Sequence, residues 1–116
     1  MKTFRFLEFK VYQDAKKFNI ELFNLAKKFP LELKSQIIRS SLSIVLNIAE
    51  GSAKKSDRDF NRYIQNSLGS VHETVAGLEI ALELKLVSRE KFAGLLKKAE
   101  KITKQLGGFS KRLKSC

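Results

Sequence analysis

Two stretches of this chain, FPLELKSQIIRSSLSIVLNIAEG over residues 29–51 and SDRDFNRYIQNSLGSVHETVAGL over residues 56–78, each run a polar column alongside an apolar stripe at helical spacing. In the first, Leu33, Ile37, Ile44 and Ile48 mark the stripe, with Ile38, Leu42 and Val45 beside it; Gln36, Arg39, Ser43, Asn47 and Glu50 form the column. In the second, Phe60, Ile64, Val71, Val75 and Leu78 lie beside Tyr63, Asn66, Ser70, Glu73 and Gly77. Buried polar groups cost free energy unless they are paired, so columns this regular predict two helices that satisfy each other. Folding them antiparallel about a loop at Ser52–Lys55 brings Arg39 near Glu73 and Glu50 near Arg62. Charge pairs of this kind set register and partner choice with little net stability. The seam of Arg39, Ser43, Asn47, Glu50, Arg62, Ser70 and Glu73 is therefore expected to be structural.

The rest of the chain completes an all-α pattern. Ala15, Phe18, Leu22 and Leu25 predict a first helix over about residues 8–28, with Tyr12, Ile20 and Phe23 widening its apolar face. Pro30, the single proline, stops that helix and opens the second, which is expected to end near Glu50 with Gly51 as a left-handed cap. Ser56 and Ser88 are expected N-caps for a third helix reaching Leu86 and a fourth through Phe92, Leu95, Ala99, Ile102, Leu106, Phe109 and Leu113. Gly107-Gly108 is expected to loosen or end the last turns. Residues 1–116 thus predict a single domain, an antiparallel up-down four-helix bundle. The second helix is nearly uncharged and apolar over most of its surface, so it belongs in the interior or against another subunit.

The net charge is +11, and its excess lies at the two ends of the sequence: residues 1–30 hold seven basic and three acidic side chains, residues 88–116 nine and two. Such a field favours polyanionic partners, RNA or DNA first. Lys97, Lys101, Lys104 and Lys111 fall in one column of the fourth helix, flanked by Lys98 and Arg112, and the first helix adds Lys16, Lys17, Lys27 and Lys28. Lysines bind phosphate as point charges and read little sequence. Aromatic residues placed for stacking among these lysines are not evident. Phe4 and Phe6 are uncommitted and suited to docking on a neighbouring subunit.

Other chemistry finds little support. His72 is the only histidine and Cys116 the only cysteine, too few for a zinc site. Cys116 lacks a recognisable activating partner, and a single cysteine excludes an internal disulfide framework, in keeping with a reducing cytoplasm. Gly107-Gly108 follows no strand and lacks the tail of a phosphate loop, and Asp57 and Asp59 suit a helix start. No apolar run is long enough to span a membrane, and the N-terminus has no signal-peptide pattern. No cofactor is expected.

The two central helices resemble the four-helix bundle proteins encoded in intervening sequences of large-subunit ribosomal RNA genes, and a relative of these, the accessory variability determinant of diversity-generating retroelements. The matching residues are Phe29-Pro30, Glu32, Gln36, Ile37, Arg39, Ser43, Ile44 and Asn47-Ile48-Ala49-Glu50-Gly51, then Ser56, Phe60, Ile64, Gly69-Ser70 and Glu73. Val11-Tyr12 stands where the family often has an aliphatic residue and tryptophan, and Ser67 where alanine is usual. The resemblance implies an antiparallel bundle assembled as a homopentameric ring. It also implies a basic surface like that with which the accessory relative binds nucleic acid and a reverse transcriptase. It carries no catalytic role.

Three functions follow in order. The first is a non-enzymatic, oligomeric, basic protein that binds RNA or DNA through phosphate contacts, acting on RNA of its own locus or as an accessory to a polymerase. The second is a protein-interaction scaffold whose lysines only solubilise it. The last, an enzyme using Arg39, Glu73 and Tyr63, needs those groups to line an accessible pocket.

Overall fold

The computed structural model describes residues 3–114, so the expectations for Cys116 lie outside the described residues. Four helices carry the fold: α1, Lys10–Leu25; α2, Leu31–Ser52; α3, Asp57–Glu83; and α4, Arg89–Lys114. Short 3-10 turns at Arg5–Glu8 and Ala26–Lys28 bracket α1, where the sequence predicted one unbroken helix. Among the described residues there is no strand, and no helix is long and apolar enough to cross a membrane. Each helix packs on its two neighbours, α1 against α4 over the thinnest interface, in a bundle of 46 × 23 × 20 Å.

The helix starts follow the sequence. Ser56 Oγ accepts from the Asp59 N–H at 3.1 Å and Ser88 Oγ from the Lys91 N–H at 3.0 Å, each satisfying one of the orphan donors of a first turn. Pro30, with ψ 142°, sits just before α2 as its cap residue. The apolar stripes meet on the bundle axis, where Phe18, Leu22, Ile37, Ile44, Ile48, Ile64, Leu78, Leu95, Ile102 and Leu106 are all but inaccessible.

The helix ends depart from the sequence reading. Gly51 is not a left-handed cap; α2 continues through it to Ser52 and closes at Ala53 with φ −88°. Its role is close approach: a Cβ there would lie 2.7 Å from Tyr63 Cβ and 2.9 Å from Phe60 Cδ1. The left-handed residue is Lys85, φ 63°, after α3 ends at Glu83 instead of Leu86. Its N–H bonds the Leu82 carbonyl and that of Leu86 bonds Ala81, both at 2.9 Å, the paired bonds of a Schellman turn. Gly107 and Gly108 do not end α4 either. Two glycines cost a helix roughly 2 kcal/mol relative to alanine. The turns beyond them are anchored by Phe109 on Phe60, ring centroids 5.2 Å apart, and by Ser110, which bonds Asn61 at 2.6 Å and Gln65 at 2.9 Å.

Candidate nucleic-acid interface

The seam between α2 and α3 divides into a buried ladder and an exposed rim. Ser40 and Thr74 share a hydrogen bond of 2.8 Å, Thr74 Oγ1 also donates to the Ser70 carbonyl at 2.8 Å, and Ser67 Oγ donates to the Ile44 carbonyl at 2.8 Å. Ser43 Oγ accepts from Ser70 at 2.9 Å and from Asn47 Nδ2 at 3.0 Å. Among the described residues no buried side-chain polar atom lacks a partner. On the rim, Arg39 lies 3.4 Å from Glu73, as the antiparallel register predicts, and donates to Gln36 Oε1 at 2.6 Å. Arg62 instead pairs at 3.8 Å with Asp59 one turn earlier on α3, not with Glu50, because an i,i+3 neighbour is closer than a residue across the interface. Ser40, Ser67 and Thr74 are buried polar residues that the sequence reading left out of its seam. Small hydroxyls at helical spacing look like surface positions until a facing helix supplies their partners.

The lysines of α4 separate into two groups. Lys98 and Lys91 both grip Glu21 of α1, at 2.7 and 2.8 Å. Lys101 lies 3.8 Å from Asp14, which also takes Lys10 at 3.1 Å and a hydrogen bond from Gln105 at 2.9 Å. Partial burial pushes both carboxyls up, but the hydrogen bonds and lysine charges outweigh it, so Asp14 and Glu21 titrate below their ordinary values of 3.8 and 4.5. Among the described residues, Lys97, Lys104 and Lys111, seven residues apart along α4, have no carboxylate within ion-pair distance, and all three are exposed.

The α1 lysines do not extend that column. Lys17 lines the α1–α4 cleft with Lys98 and Lys101. Lys16 lies 5.9 Å over the Tyr12 ring, and Lys27 and Lys28 occupy the turn after α1, at the end of the bundle remote from Lys111. Arg112 sits 5.0 Å over Phe109. The predicted basic surface is thus a column on α4, a part-neutralised cleft and a separate pair at one end.

Beside the free lysines, α3 and α4 leave a groove of about 330 Å³ walled by Val71, Val75, Leu96 and Ala99. His72, Glu100, Thr103 and Lys104 stand around it. His72 Nδ1 lies 2.9 Å from the Leu68 carbonyl, an acceptor only, so in the neutral ring this nitrogen carries the proton and Nε2 is left to accept. The groove escaped the sequence reading because Val71 and Val75 have core periodicity. A cation–aromatic cluster also escaped it: Lys54 of the 53–56 loop and Arg62 of α3 lie 5.0 and 5.3 Å from the Tyr63 ring centre. Among the described residues, no three of His, Cys, Asp or Glu gather as a metal site requires.

The apolar surface is equally uneven. On α2, Leu31 is 75% exposed, Leu46 53% and Leu42 40%; on the neighbouring α1, Ile20 and Phe23 are exposed by 53% and 52%. Asn19 of α1 bonds Ser41 of α2 at 2.8 Å, which sets Ile20 and Leu42 at the same level of the bundle. Phe4 is exposed, whereas Phe6 packs edge-on against Tyr12, with ring centroids 4.9 Å apart.

Comparison with known proteins agrees with this architecture. A crystal structure of a protein of unknown function from the S23 ribosomal protein family of Bacteroides thetaiotaomicron superposes with a TM-score of 0.81 at 24% identity, covering 87% of this chain and 98% of that one. At that identity the likeness shows the fold. No curated protein matches significantly. The sequence profile of the 23S rRNA-intervening sequence proteins matches residues 7–108, and neither it nor the solved relative carries a catalytic description. This chain belongs to the 23S rRNA-intervening sequence protein family.

Proposed function

We propose that the protein is a non-enzymatic, oligomeric nucleic-acid-binding protein whose phosphate contacts are made by the α4 column of Lys97, Lys104 and Lys111. The observation that carries this reading is that, among the described residues, these three lysines have no ion-pair partner while Lys91, Lys98 and Lys101 are engaged with α1 carboxylates. A row of unpaired cations about two helical turns apart, on a chain of net charge +11, is an electrostatic footprint for a polyanion. The family's name makes ribosomal RNA, and RNA of the protein's own locus, the first target class to test. The exposed apolar residues of α1 and α2 support self-association on that side, leaving α4 outward. A homopentameric ring, as in the resembling proteins, would repeat the column around its rim.

The test is fluorescence anisotropy with short RNA and DNA strands across a salt series. Affinity is expected to fall linearly in log salt, and alanine at Lys97, Lys104 and Lys111 together to reduce that slope by about two to three. Absence of binding at low salt overturns the reading and leaves the protein-interaction scaffold, which the same apolar face supports. Light scattering after size exclusion is expected to give a multiple of 13.2 kDa, fivefold for the ring; 13.2 kDa itself overturns the assembly.

A further inference from the structure

We propose that the α3–α4 groove holds one unpaired base of the bound strand, so that the protein discriminates single-stranded from duplex nucleic acid. The inference rests on the nucleic-acid reading and assigns that site a second component. The groove is walled by aliphatic side chains, Val71, Val75 and Leu96, which offer an apolar surface to a flat ring, and its 330 Å³ falls at the small end of the roughly 300–1,000 Å³ common in small-molecule sites. That is room for a single base. Its rim supplies both kinds of hydrogen-bonding group that a base edge carries: acceptors at His72 Nε2 and the Glu100 carboxylate, donors at Thr103 and Lys104.

Charge and position favour this occupant over an acidic helix of a partner protein. Glu100 stands on the groove's edge between Lys97 and Lys104, where it would oppose a carboxylate but accept from a base N–H. Lys97 and Lys104 lie about 10 Å apart along α4, so the phosphates on either side of an extruded base each meet a cation. Bases within a duplex are stacked and paired and cannot enter a groove of this kind, whereas those of single strands and loops can.

The experiment compares a labelled 12-nucleotide single-stranded RNA with the duplex of the same sequence, using wild type and Thr103→Phe, which fills the groove and keeps every lysine. Thr103→Phe is expected to weaken single-strand binding about tenfold and to leave duplex binding unchanged. Because His72 is the chain's only histidine, its imidazole NMR signal reports on the groove of the unaltered protein. It is expected to shift on titration with the single strand and not with the duplex. Wild-type affinity in a folded Thr103→Phe, or a His72 signal unmoved at saturating single strand, overturns the base site while leaving the lysine column standing. If wild type binds neither strand nor duplex at low salt, the nucleic-acid reading itself fails and the base site falls with it.

Discussion

The two long seams of the bundle are built on opposite principles. Between α2 and α3 the buried contacts are neutral and short: Ser40 on Thr74, Ser67 on a backbone carbonyl, and Gly51 and Gly77 admitting Tyr63 and Ile37, with the Arg39–Glu73 pair confined to the exposed rim. Between α1 and α4 the interface is thin, and its polar contacts are chiefly ion pairs of Glu21 and Asp14 with lysines that remain half open to water, joined by the Gln105–Asp14 hydrogen bond. A hydroxyl ladder specifies register through geometry and is indifferent to salt. A carboxylate–lysine seam holds through charge, which salt and acid both weaken. The contrast separates a rigid half, α2–α3, from a half whose lysines are shared between holding α1 and meeting a polyanion.

The largest expected effect lies in the rigid half. Gly51→Val places a branched side chain where even a Cβ would be 2.7 Å from Tyr63 Cβ, a clash with an atom fixed to the α3 backbone. A loss of about 3 kcal/mol is expected, read as a lower urea midpoint. An unchanged midpoint would show that α2 and α3 separate more easily than the ladder implies. Thr74→Val keeps the shape and removes the hydroxyl shared with Ser40, for an expected loss of about 1–2 kcal/mol that does not change between low and high salt.

Smaller effects belong to the ion pairs of both seams. Asp14 and Glu21 titrate below their ordinary values in the folded protein, so their contribution is complete above those values. It is lost as pH falls through 4.5 and 3.8 and on below them. Glu21→Gln is expected to cost no more than about 1 kcal/mol at neutral pH and low salt, with the difference from wild type shrinking in high salt and below that acid range. Thermal melts on a pH and salt grid would show this, and a salt-independent loss would mean that Glu21 acts through packing. Smallest of all, Arg39→Gln removes an exposed ion pair with Glu73 and should change stability by less than about 0.5 kcal/mol, despite the pair's place in the register.

Periodicity made the fold legible. The stripes of α2, α3 and α4 and the caps at Ser56 and Ser88 are local signals that the packed structure respects. Helix ends were less legible: Gly51 has the residue type of a cap, and only the approach of Tyr63 shows that it is a contact. Lys85, with no local mark of a left-handed residue, takes that conformation to let α3 turn into α4. For the candidate site, the sequence yielded the lysine column but not its division, because Lys101 and Lys104 differ only in whether an α1 carboxylate lies within reach.

By itself, then, the sequence determined four amphipathic helices, their order, the antiparallel pairing that brings Arg39 to Glu73, and the excess of positive charge at the two ends of the sequence. These depend on residue type and spacing along one chain. Only the tertiary structure decided which hydroxyls are buried, which glycines are contacts, which lysines are neutralised and where α3 and α4 leave a groove. Each of those depends on what a residue far away in the chain brings within a few ångströms, and spacing along a single helix holds no record of it.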